Sequence, residues 1–405
     1  MQRDELIDAL RGFALFGILA VNIQCFVGGL NAPSLGVLDA QSSVADHVTV
    51  FLTALLLEFK FYPIFSFCFG YGFAVQTRRW MAHGDAAGPR FLRRMNAMLL
   101  LGILHGTLLW FGDILTRYAA TGYLLKRYAG AGPKSLLKAV RLWLAVAIVI
   151  QAFLTLSIIA GSGSEEPAGL NETAQQTSRS AASALQAYAQ GNYLDATIQR
   201  VSDYVTVSLY FVVLVPQFMV LFLLGALAAQ LGLLRRPARH RLLWRKLFGY
   251  GLVLGLPLNA LYAWLQWQAS QHPWAPSAHP MLAMITGELA PILSIVFVAA
   301  FALHGHTRAG KNVVRLLAPA GRVALTMYIS ESLLMALWLN GFGFGAGIGA
   351  RPAELLLGAA GIYAMLIAAS HAMHRYRVAG PLEVLWRRYT YASGTAVTSR
   401  PSQSG

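Results

Sequence analysis

Apolar segments long enough to cross a membrane recur along the whole chain, and they leave little choice of fold. Hydrophobic residues make up 56% of the 405 residues and charged residues only 12%, far from the balance of a soluble domain. A helix needs about 20 apolar residues to span a bilayer, and it satisfies its own backbone hydrogen bonds there. The sequence therefore predicts an all-α, polytopic membrane helix bundle with the lipid bilayer as its main partner.

Ten segments fit such spans. They lie at about 9–30, 47–76, 95–111, 114–125, 136–160, 205–231, 247–267, 281–303, 323–339 and 353–373. We expect one transmembrane domain over residues 1–390, with an N-terminal part at 1–130, an extracytoplasmic loop at about 161–203 and a C-terminal part at about 205–390. Residues 391–405 are rich in serine, threonine and glycine, a composition that favours a disordered cytoplasmic tail.

Positive charge is concentrated in alternate loops between these segments. Lysine and arginine number 32 against 17 acidic residues, which gives a formal net charge of +15. In a soluble protein this excess would suggest nucleic-acid binding, but the positive-inside rule for membrane proteins explains it better. All the basic loops fall on one side of the membrane if ten spans cross it with both termini in the cytoplasm. The sequence thus predicts cytoplasmic termini and no nucleic-acid partner.

The segment at 161–203 departs most from membrane composition, and two interpretations of it stay open. Glycine, serine, glutamate and glutamine dominate its first half. Its second half contains apolar side chains that fit a short amphipathic helix over the extracytoplasmic mouth of the bundle: Leu185, Tyr188, Tyr193, Leu194 and Ile198. A flexible tether is the alternative.

His105 lies deep inside the third predicted span, and an ionisable side chain at that depth marks a functional site by default. Arg94 precedes it by eleven residues, which places the two on nearly the same helix face and roughly 16 Å apart along the axis. Neutral imidazole can act as a general base or a proton relay. The structural alternative is a histidine that only hydrogen-bonds a neighbouring helix.

Asp113 follows His105 by eight residues, and a continuous helix would place it about 12 Å further along the span. Gly112 and Asp113 also fit a break between two short helices, with the carboxylate at the mouth of a cavity. Capping of the next helix is the structural alternative for this carboxylate. His105 and Asp113 are the first two predicted catalytic residues.

The first span repeats the spacing of Arg94 and His105, because ten residues separate Arg11 from Asn22. Asp8 lies three residues before Arg11 and can pair with it on one helix face. Arg11 and Asn22 are therefore predicted as further site residues. The structural alternative is an Arg11 side chain that only reaches up to the membrane surface.

Further polar residues lie in other apolar segments, where they can complete a cavity or simply pair with one another. Glu331 follows Tyr328 near the middle of its span, and Glu288 lies within the eighth. Glu58 and Lys60 flank a break in the second segment, where an unwound helix can surround water. The sequence contains neither a metal-ligand spacing nor a phosphate-binding glycine loop, so no metal is predicted.

Several motifs resemble the YeiB-like family of bacterial multi-pass membrane proteins. They are DALRGFALFGILAVN at 8–22, FSFCFGYGF at 65–73, LHG at 104–106, WFGDIL at 110–115, GRVALTMY at 321–328 and GPLEVLWR at 380–387. That family is grouped with the transmembrane acyltransferase superfamily. The resemblance implies a protein of the bacterial inner (plasma) membrane that passes an acyl group from cytoplasmic acyl-CoA to an extracytoplasmic glycan or lipid-linked acceptor.

The resemblance also implies roles for the site residues. The acyltransferase-three members of the superfamily carry arginine, ten residues and then histidine in their first span, but position 22 of this chain is Asn22. The same spacing from Arg94 reaches His105, which is therefore predicted as the base, with Asp113 as its partner. Arg11 or Asn22 would stabilise the oxyanion if the two spans face each other.

Arg90, Arg93 and Arg94 are predicted to hold the phosphates of coenzyme A, although positive-inside bias alone would also place them there. Two other functions fit the same residues. Buried charges, broken helices and glycine-lined spans also suit a transporter of a small metabolite or glycan precursor, although no convincing inverted repeat is present. A non-catalytic receptor or scaffold, with the segment at 161–203 binding a partner, is the third.

Overall fold

A computed structural model describes residues 5–31, 35–82, 87–162, 167–272 and 280–391, and this part of the chain is helical without strands. The helices are α1 Glu5–Asn22, α2 Val44–Leu56, α3 Phe61–Ala82, α4 Ala87–Leu108, α5 Leu115–Leu125, α6 Pro133–Ser162, α7 Pro167–Leu185, α8 Tyr193–Leu231, α9 Arg241–Gln271, α10 Pro280–Leu289, α11 Ser294–His304, α12 Arg308–Arg322, α13 Ala324–Leu339, α14 Pro352–Arg375 and α15 Pro381–Tyr391. The all-α prediction is confirmed.

Seven helical segments of the described chain are long and apolar enough to cross a membrane. They are Glu5–Cys25, Val44–Ala82, Pro133–Ser157, Tyr193–Leu231, Pro237–Gln271, Met281–His304 and Pro352–Arg375. Helices α12 and α13 are together long and apolar enough as well, but they are bent by 81° at their junction, so the described chain has seven such segments, or eight if this pair is one broken span. The protein is thus a helical membrane protein.

Two of the ten predicted spans fall outside that set for different reasons. Helix α4 has 22 residues but carries several arginines in its first half. Helix α5 has 11 residues, or about 16 Å of helix, which is half the thickness of the hydrocarbon core. The count of ten spans and the cytoplasmic position of the termini therefore stay predictions.

Helix α1 lies in the middle of the bundle, where it packs against α3, α12, α13 and α14. Two glycines bring it close to its neighbours: a side chain at Gly12 would overlap the Leu317 carbonyl, and one at Gly17 would overlap the Phe61 ring. Helices α3 and α8 cross in the same way, with Gly70 against the backbone of Phe222. Small residues allow such backbone contact in membranes, where packing replaces the hydrophobic effect as the driving force.

Most of the segment at 161–203, which was predicted to be a loop, is helical. Helix α7 occupies its first half and runs into a π-helical turn at Gln186–Gln190. Asn192 caps the next helix through the backbone N–H groups of Leu194 and Asp195, so α8 begins at Tyr193 and not near residue 205. The predicted short amphipathic helix is thus divided between the end of α7 and the start of α8. The predicted tail at 391–405 lies outside the described residues beyond Tyr391.

Candidate functional site

The end of α4 sets the geometry around His105. The helix stops at Leu108, and the N–H groups of Leu109 and Trp110 both donate to the His105 carbonyl at 2.9 Å. The chain then reverses through Gly112 and enters α5 at Leu115. The expected break is therefore confirmed, but it begins at Leu109 and not at Gly112, and of the two helices only α5 is short.

This reversal brings Asp113 back to His105. The Asp113 Oδ1 atom lies 2.8 Å from the His105 Nδ1 atom, so the expected separation of about 12 Å is wrong because the helix does not continue. The second carboxylate oxygen accepts the Thr116 N–H at 2.7 Å, as a helix-capping residue would. Gly102 permits this approach, since a Cβ there would overlap the Thr116 nitrogen and lie 2.7 Å from the Asp113 Oδ2 atom.

A serine occupies the other side of the imidazole. The Ser332 hydroxyl on α13 lies 2.8 Å from the His105 Nε2 atom. The ring of Tyr328, one turn earlier, lies 4.8 Å from the His105 ring, and its hydroxyl accepts the Ile114 N–H at 3.2 Å. His105, Asp113 and Ser332 are each at most 2% exposed. The arrangement of serine, histidine and carboxylate is that of a nucleophile, a base and the group that orients the base.

Sequence reasoning missed Ser332. It lies next to the predicted Glu331 and one helical turn after the predicted Tyr328. A search for small nucleophiles at helical spacing from these two residues would have found it. Serine is nevertheless common at packing interfaces of membrane helices, so the signal is weak without the contact to His105.

A cavity of about 960 Å³ lies beside these residues, a size typical of small-molecule and cofactor sites. Its apolar wall comes from α3, α4 and α5 and consists of Phe65, Phe69, Phe73, Phe91, Met98, Leu101, Leu115 and Tyr118. Leu101 is one turn before His105, Leu115 is two residues after Asp113, and Tyr328 touches His105. His105, Asp113 and Ser332 are not themselves among the lining residues, and they lie directly behind this part of the wall.

Arginine dominates the polar part of the cavity. Five arginines line it: Arg11, Arg94, Arg322, Arg377 and Arg387. The carboxylate in the lining, Glu383, accepts the N–H groups of Leu325 and Thr326 at 2.8 and 3.1 Å, so the N-terminus of α13 offsets its charge. Two more carboxylates pair with these arginines: Asp8 lies 3.2 Å from Arg11 and 3.7 Å from Arg322, and Glu5 lies 3.4 Å from Arg322. An excess of positive charge remains, which suits an anionic ligand.

The arginines predicted to bind the cofactor are not equivalent. Arg94 lines the cavity, and its guanidinium lies 3.9 Å from the centre of the Trp386 ring. The Trp386 indole N–H donates to the Arg94 carbonyl at 3.2 Å, which ties α15 to α4. Arg90 lies 5.9 Å from the Tyr391 ring, and neither it nor Arg93 lines the cavity.

The two predicted residues of the first span also separate. Arg11 lines the cavity and donates to the Cys68 carbonyl at 3.1 Å. Asn22 lies at the last position of α1, half-buried and outside the cavity lining. The structure therefore brings Arg11, but not Asn22, to the same cavity as Tyr328.

The remaining predicted polar residues occupy other places in the bundle. Glu331 is buried, and among the described residues its Oε1 atom has no hydrogen-bond partner. Glu288 accepts from the Gln217 side chain at 2.6 Å. Glu58 accepts from the Tyr262 hydroxyl at 2.7 Å, and the Lys60 ammonium donates to the Ala54 carbonyl at 2.5 Å.

The first turns of α8 close the end of α4 beyond His105. The Leu108 carbonyl accepts from the Tyr193 hydroxyl at 3.1 Å and from the buried Arg200 guanidinium at 3.0 Å. The Tyr188 hydroxyl donates to Asp203 at 2.7 Å. Burial, and then the nearby Asp203 carboxylate, raise the pKa of Tyr188 far above its ordinary value. Tyr188 thus remains a neutral donor, and this end of the site is held shut by hydrogen bonds.

Fold and site together define a class: a multi-pass helical membrane protein with a buried serine, histidine and aspartate beside an arginine-lined cavity. Residues 228–393 match the family described as "Protein of unknown function (DUF418)". The chain is 30% identical to the uncharacterized protein YxaH of Bacillus subtilis (strain 168), over 98% of this chain and 97% of that protein. It is 28% identical to the uncharacterized protein YeiB of Escherichia coli (strain K12), over 98% and 99% of the two chains.

The chain therefore belongs to the DUF418 family, as the YeiB-like motifs predicted. No solved structure matches it.

Proposed function

We propose that the protein is a transmembrane acyltransferase that takes its acyl group from acyl-CoA. The observation that carries the proposal is the proximity of two features, an arginine-lined cavity and a buried His105–Asp113 pair behind Tyr328 in the cavity wall. Acyl-CoA matches both parts of the cavity, since its anionic phosphates suit the arginines and its apolar acyl group suits the apolar wall. The superfamily resemblance of the motifs around Arg11 and His105 supports the same chemistry.

The donor would enter from the polar part of the cavity. Arg322 is the last residue of α12, Arg377 follows the end of α14 and Arg387 lies on α15, and guanidinium groups can bind phosphate oxygens in bidentate contacts. The acyl chain would lie along the wall that includes Phe69, Met98 and Leu101. By the positive-inside rule this polar part faces the cytoplasm, where acyl-CoA is made.

His105 is the general base of this proposal. Its Nδ1 atom bonds Asp113, which fixes the ring and stabilises the imidazolium that forms when Nε2 takes a proton. The acceptor is a hydroxyl or an amine of a glycan or lipid-linked glycan beyond the membrane, and the protein belongs in the bacterial inner membrane.

The test is acetyl-CoA turnover by the full chain in nanodiscs, with a membrane glycan extract as the acceptor. We expect label to pass from radiolabelled acetyl-CoA to the glycan with the wild-type protein. His105→Ala should reduce the rate by about a factor of 10³ or more while leaving the protein folded. The matched control is His304→Ala, which removes an exposed histidine. Equal rates for the wild type and His105→Ala would contradict the assignment.

A transporter is the second candidate, and one observation favours it. The break between α2 and α3 meets the break between α10 and α11, because the Ser294 hydroxyl donates to the Lys60 carbonyl at 2.7 Å. Adjoining broken helices are typical of substrate and ion sites in transporters. Absence of acyl-CoA binding by the purified protein, together with uptake of a metabolite into proteoliposomes, would favour this function.

A further inference from the structure

The His105 base points at a hydroxyl of the protein itself. Its Nε2 atom lies 2.8 Å from the Ser332 Oγ atom, across 227 residues of chain. Ser332 also lies 3.4 Å from the carbonyl of Tyr328 in its own helix, a longer and weaker contact. The contact with His105 is therefore the stronger one, and its direction depends on the tautomer of His105.

Hydrogen bonding to Asp113 fixes the tautomer of His105. The Asp113 Oδ2 atom accepts the Thr116 N–H at 2.7 Å, and we assign its Oδ1 atom as the acceptor of the bond to His105. The Nδ1 atom of His105 must then carry the proton that it shares with Oδ1. The lone pair of Nε2 is left for the Ser332 hydroxyl, which donates to it.

This arrangement restricts what His105 can deprotonate. Both ring nitrogens are occupied, Nδ1 by Asp113 and Nε2 by Ser332. An acceptor hydroxyl can donate to Nε2 only when the Ser332 hydroxyl no longer does so, for instance when Ser332 is acylated. The hydroxyl that the base activates in this structure is therefore that of Ser332.

We propose that Ser332 is a covalent nucleophile that carries the acyl group as an ester between donor and acceptor. This inference rests on the proposed acyltransferase function. In the first step the Ser332 Oγ atom bonds to the thioester carbonyl carbon, and its proton passes to the His105 Nε2 atom. The carbon–sulfur bond then breaks, and His105 gives the proton to the sulfur, so that coenzyme A leaves as the thiol.

The second step restores the enzyme. A hydroxyl or amine of the acceptor attacks the ester carbonyl of acyl-Ser332, and its proton passes to His105 Nε2. The ester bond to Oγ breaks, and His105 returns the proton to Ser332. No oxidant or reductant takes part, and acceptor and acyl-CoA need not occupy the site together.

Tyr328 connects this chemistry to the cavity. Its side chain lines the cavity and packs on His105, so the ring must swing aside for a thioester to reach Ser332. Its oxygen accepts the Ile114 N–H, which leaves its own O–H as a donor for the oxyanion that forms at the carbonyl. Tyr328 thus lies where it can block access to Ser332 and can stabilise the oxyanion intermediate.

The experiment uses the full chain in nanodiscs with radiolabelled acetyl-CoA and without an acceptor. After denaturation, we expect label and the mass of one acetyl group on the peptide that contains Ser332. Addition of the membrane glycan extract before denaturation should remove both. Ser332→Ala should lose the label and the transfer activity, whereas Ser270→Ala, which removes another buried helical serine bonded to a backbone carbonyl, should keep both.

The Ser332→Cys variant distinguishes a covalent role of Ser332 from a structural one. A cysteine at this position should accept the acetyl group as a thioester, which neutral hydroxylamine cleaves, whereas it leaves a serine ester intact. Wild-type-like transfer by Ser332→Ala, or transfer by the wild type with label absent from Ser332, would overturn the covalent step and leave the proposed acyltransferase intact. Failure of the wild type to bind acetyl-CoA or transfer its acetyl group would overturn both.

Discussion

Two clusters of buried polar side chains lie at breaks in apolar helices, and they differ in what lies next to them. In the His105 cluster, Asp113 and Ser332 bond the imidazole, and Tyr328 leads from it into a cavity. In the Lys60 cluster, the ammonium bonds the Ala54 carbonyl, and none of Glu58, Lys60 and Tyr262 lines that cavity.

Burial alone does not separate the two clusters. Lys60 and Glu58 are as deeply buried as His105 and Asp113, and both pairs interrupt apolar sequence. Lys60 joins the two sides of the break to another helix, because its ammonium donates to the Ala54 carbonyl and its own carbonyl accepts the Ser294 hydroxyl. We infer that it holds two broken helices together, whereas the His105 cluster presents reactive atoms beside a binding cavity.

The largest expected effect on rate beyond that of His105→Ala comes from Asp113→Asn. An asparagine NH₂ group can donate to the His105 Nδ1 atom, which would hold the ring in the wrong tautomer and remove the lone pair from Nε2. We expect acetyl transfer to fall about 10²- to 10⁴-fold. Initial rates measure the effect, and thermal unfolding in detergent checks that the variant is folded. A rate within threefold of the wild type would place Asp113 among the capping residues only.

The Lys60 cluster should respond in stability and not in rate. Lys60→Ala removes the donor to the Ala54 carbonyl, and leaving such a buried acceptor without its partner costs about 1–3 kcal/mol. Lys60→Met fills the same space without charge, so it should recover part of that loss. For both variants we expect the transfer rate per folded molecule to stay within about twofold of the wild type.

Fluorescence-detected unfolding and the fraction of monodisperse protein measure this stability. A normal melting temperature for Lys60→Ala together with loss of transfer would reverse the assignment of the two clusters. Loss of metabolite uptake in the same variant would instead support the transporter.

A smaller effect is expected where the His105 cluster meets the helix backbone. In Gly102→Ala the new methyl group would overlap the Thr116 nitrogen and press on the Asp113 carboxylate. Displacement of a catalytic group by a fraction of an ångström should lower the transfer rate about 10-fold. Gly249→Ala is the matched control, since no atom lies within 4 Å of its added methyl group. Equal rates for the two variants would show that the position of Asp113 tolerates movement.

The sequence predicted those parts of the site that depend on local patterns. Hydropathy and helical periodicity are local, so they located most of the apolar helices, the buried His105 and a break near Gly112. The predicted break began too late, because α4 ends at Leu108. The helix was therefore extended through residues 109–112, and this error produced the wrong separation between His105 and Asp113.

Contacts between distant segments could not be predicted from local sequence patterns. Ser332 meets His105, and Trp386 meets Arg94, only because α13 and α15 pack against α4. Many weak packing contacts determine that arrangement, and no short motif encodes it. Asn22 shows the converse, because its spacing from Arg11 repeats that of Arg94 and His105, yet it lies outside the cavity lining.

The smallest expected effect lies at the polar edge of the cavity, at the exposed Arg387. Arg387→Gln should raise the KM for acetyl-CoA about two- to fivefold and leave kcat unchanged, because an exposed ion pair contributes little and salt screens it. Arg141→Gln is the control, since this exposed arginine of α6 lies outside the cavity lining. With acetyl-pantetheine, which lacks the nucleotide and its phosphates, Arg387→Gln and the wild type should have equal KM. An increase in KM for both donors would show that Arg387 shapes the cavity without binding phosphate. The cavity beside the His105 cluster would then lack evidence of a phosphate ligand, and the contrast with the Lys60 cluster would be weaker.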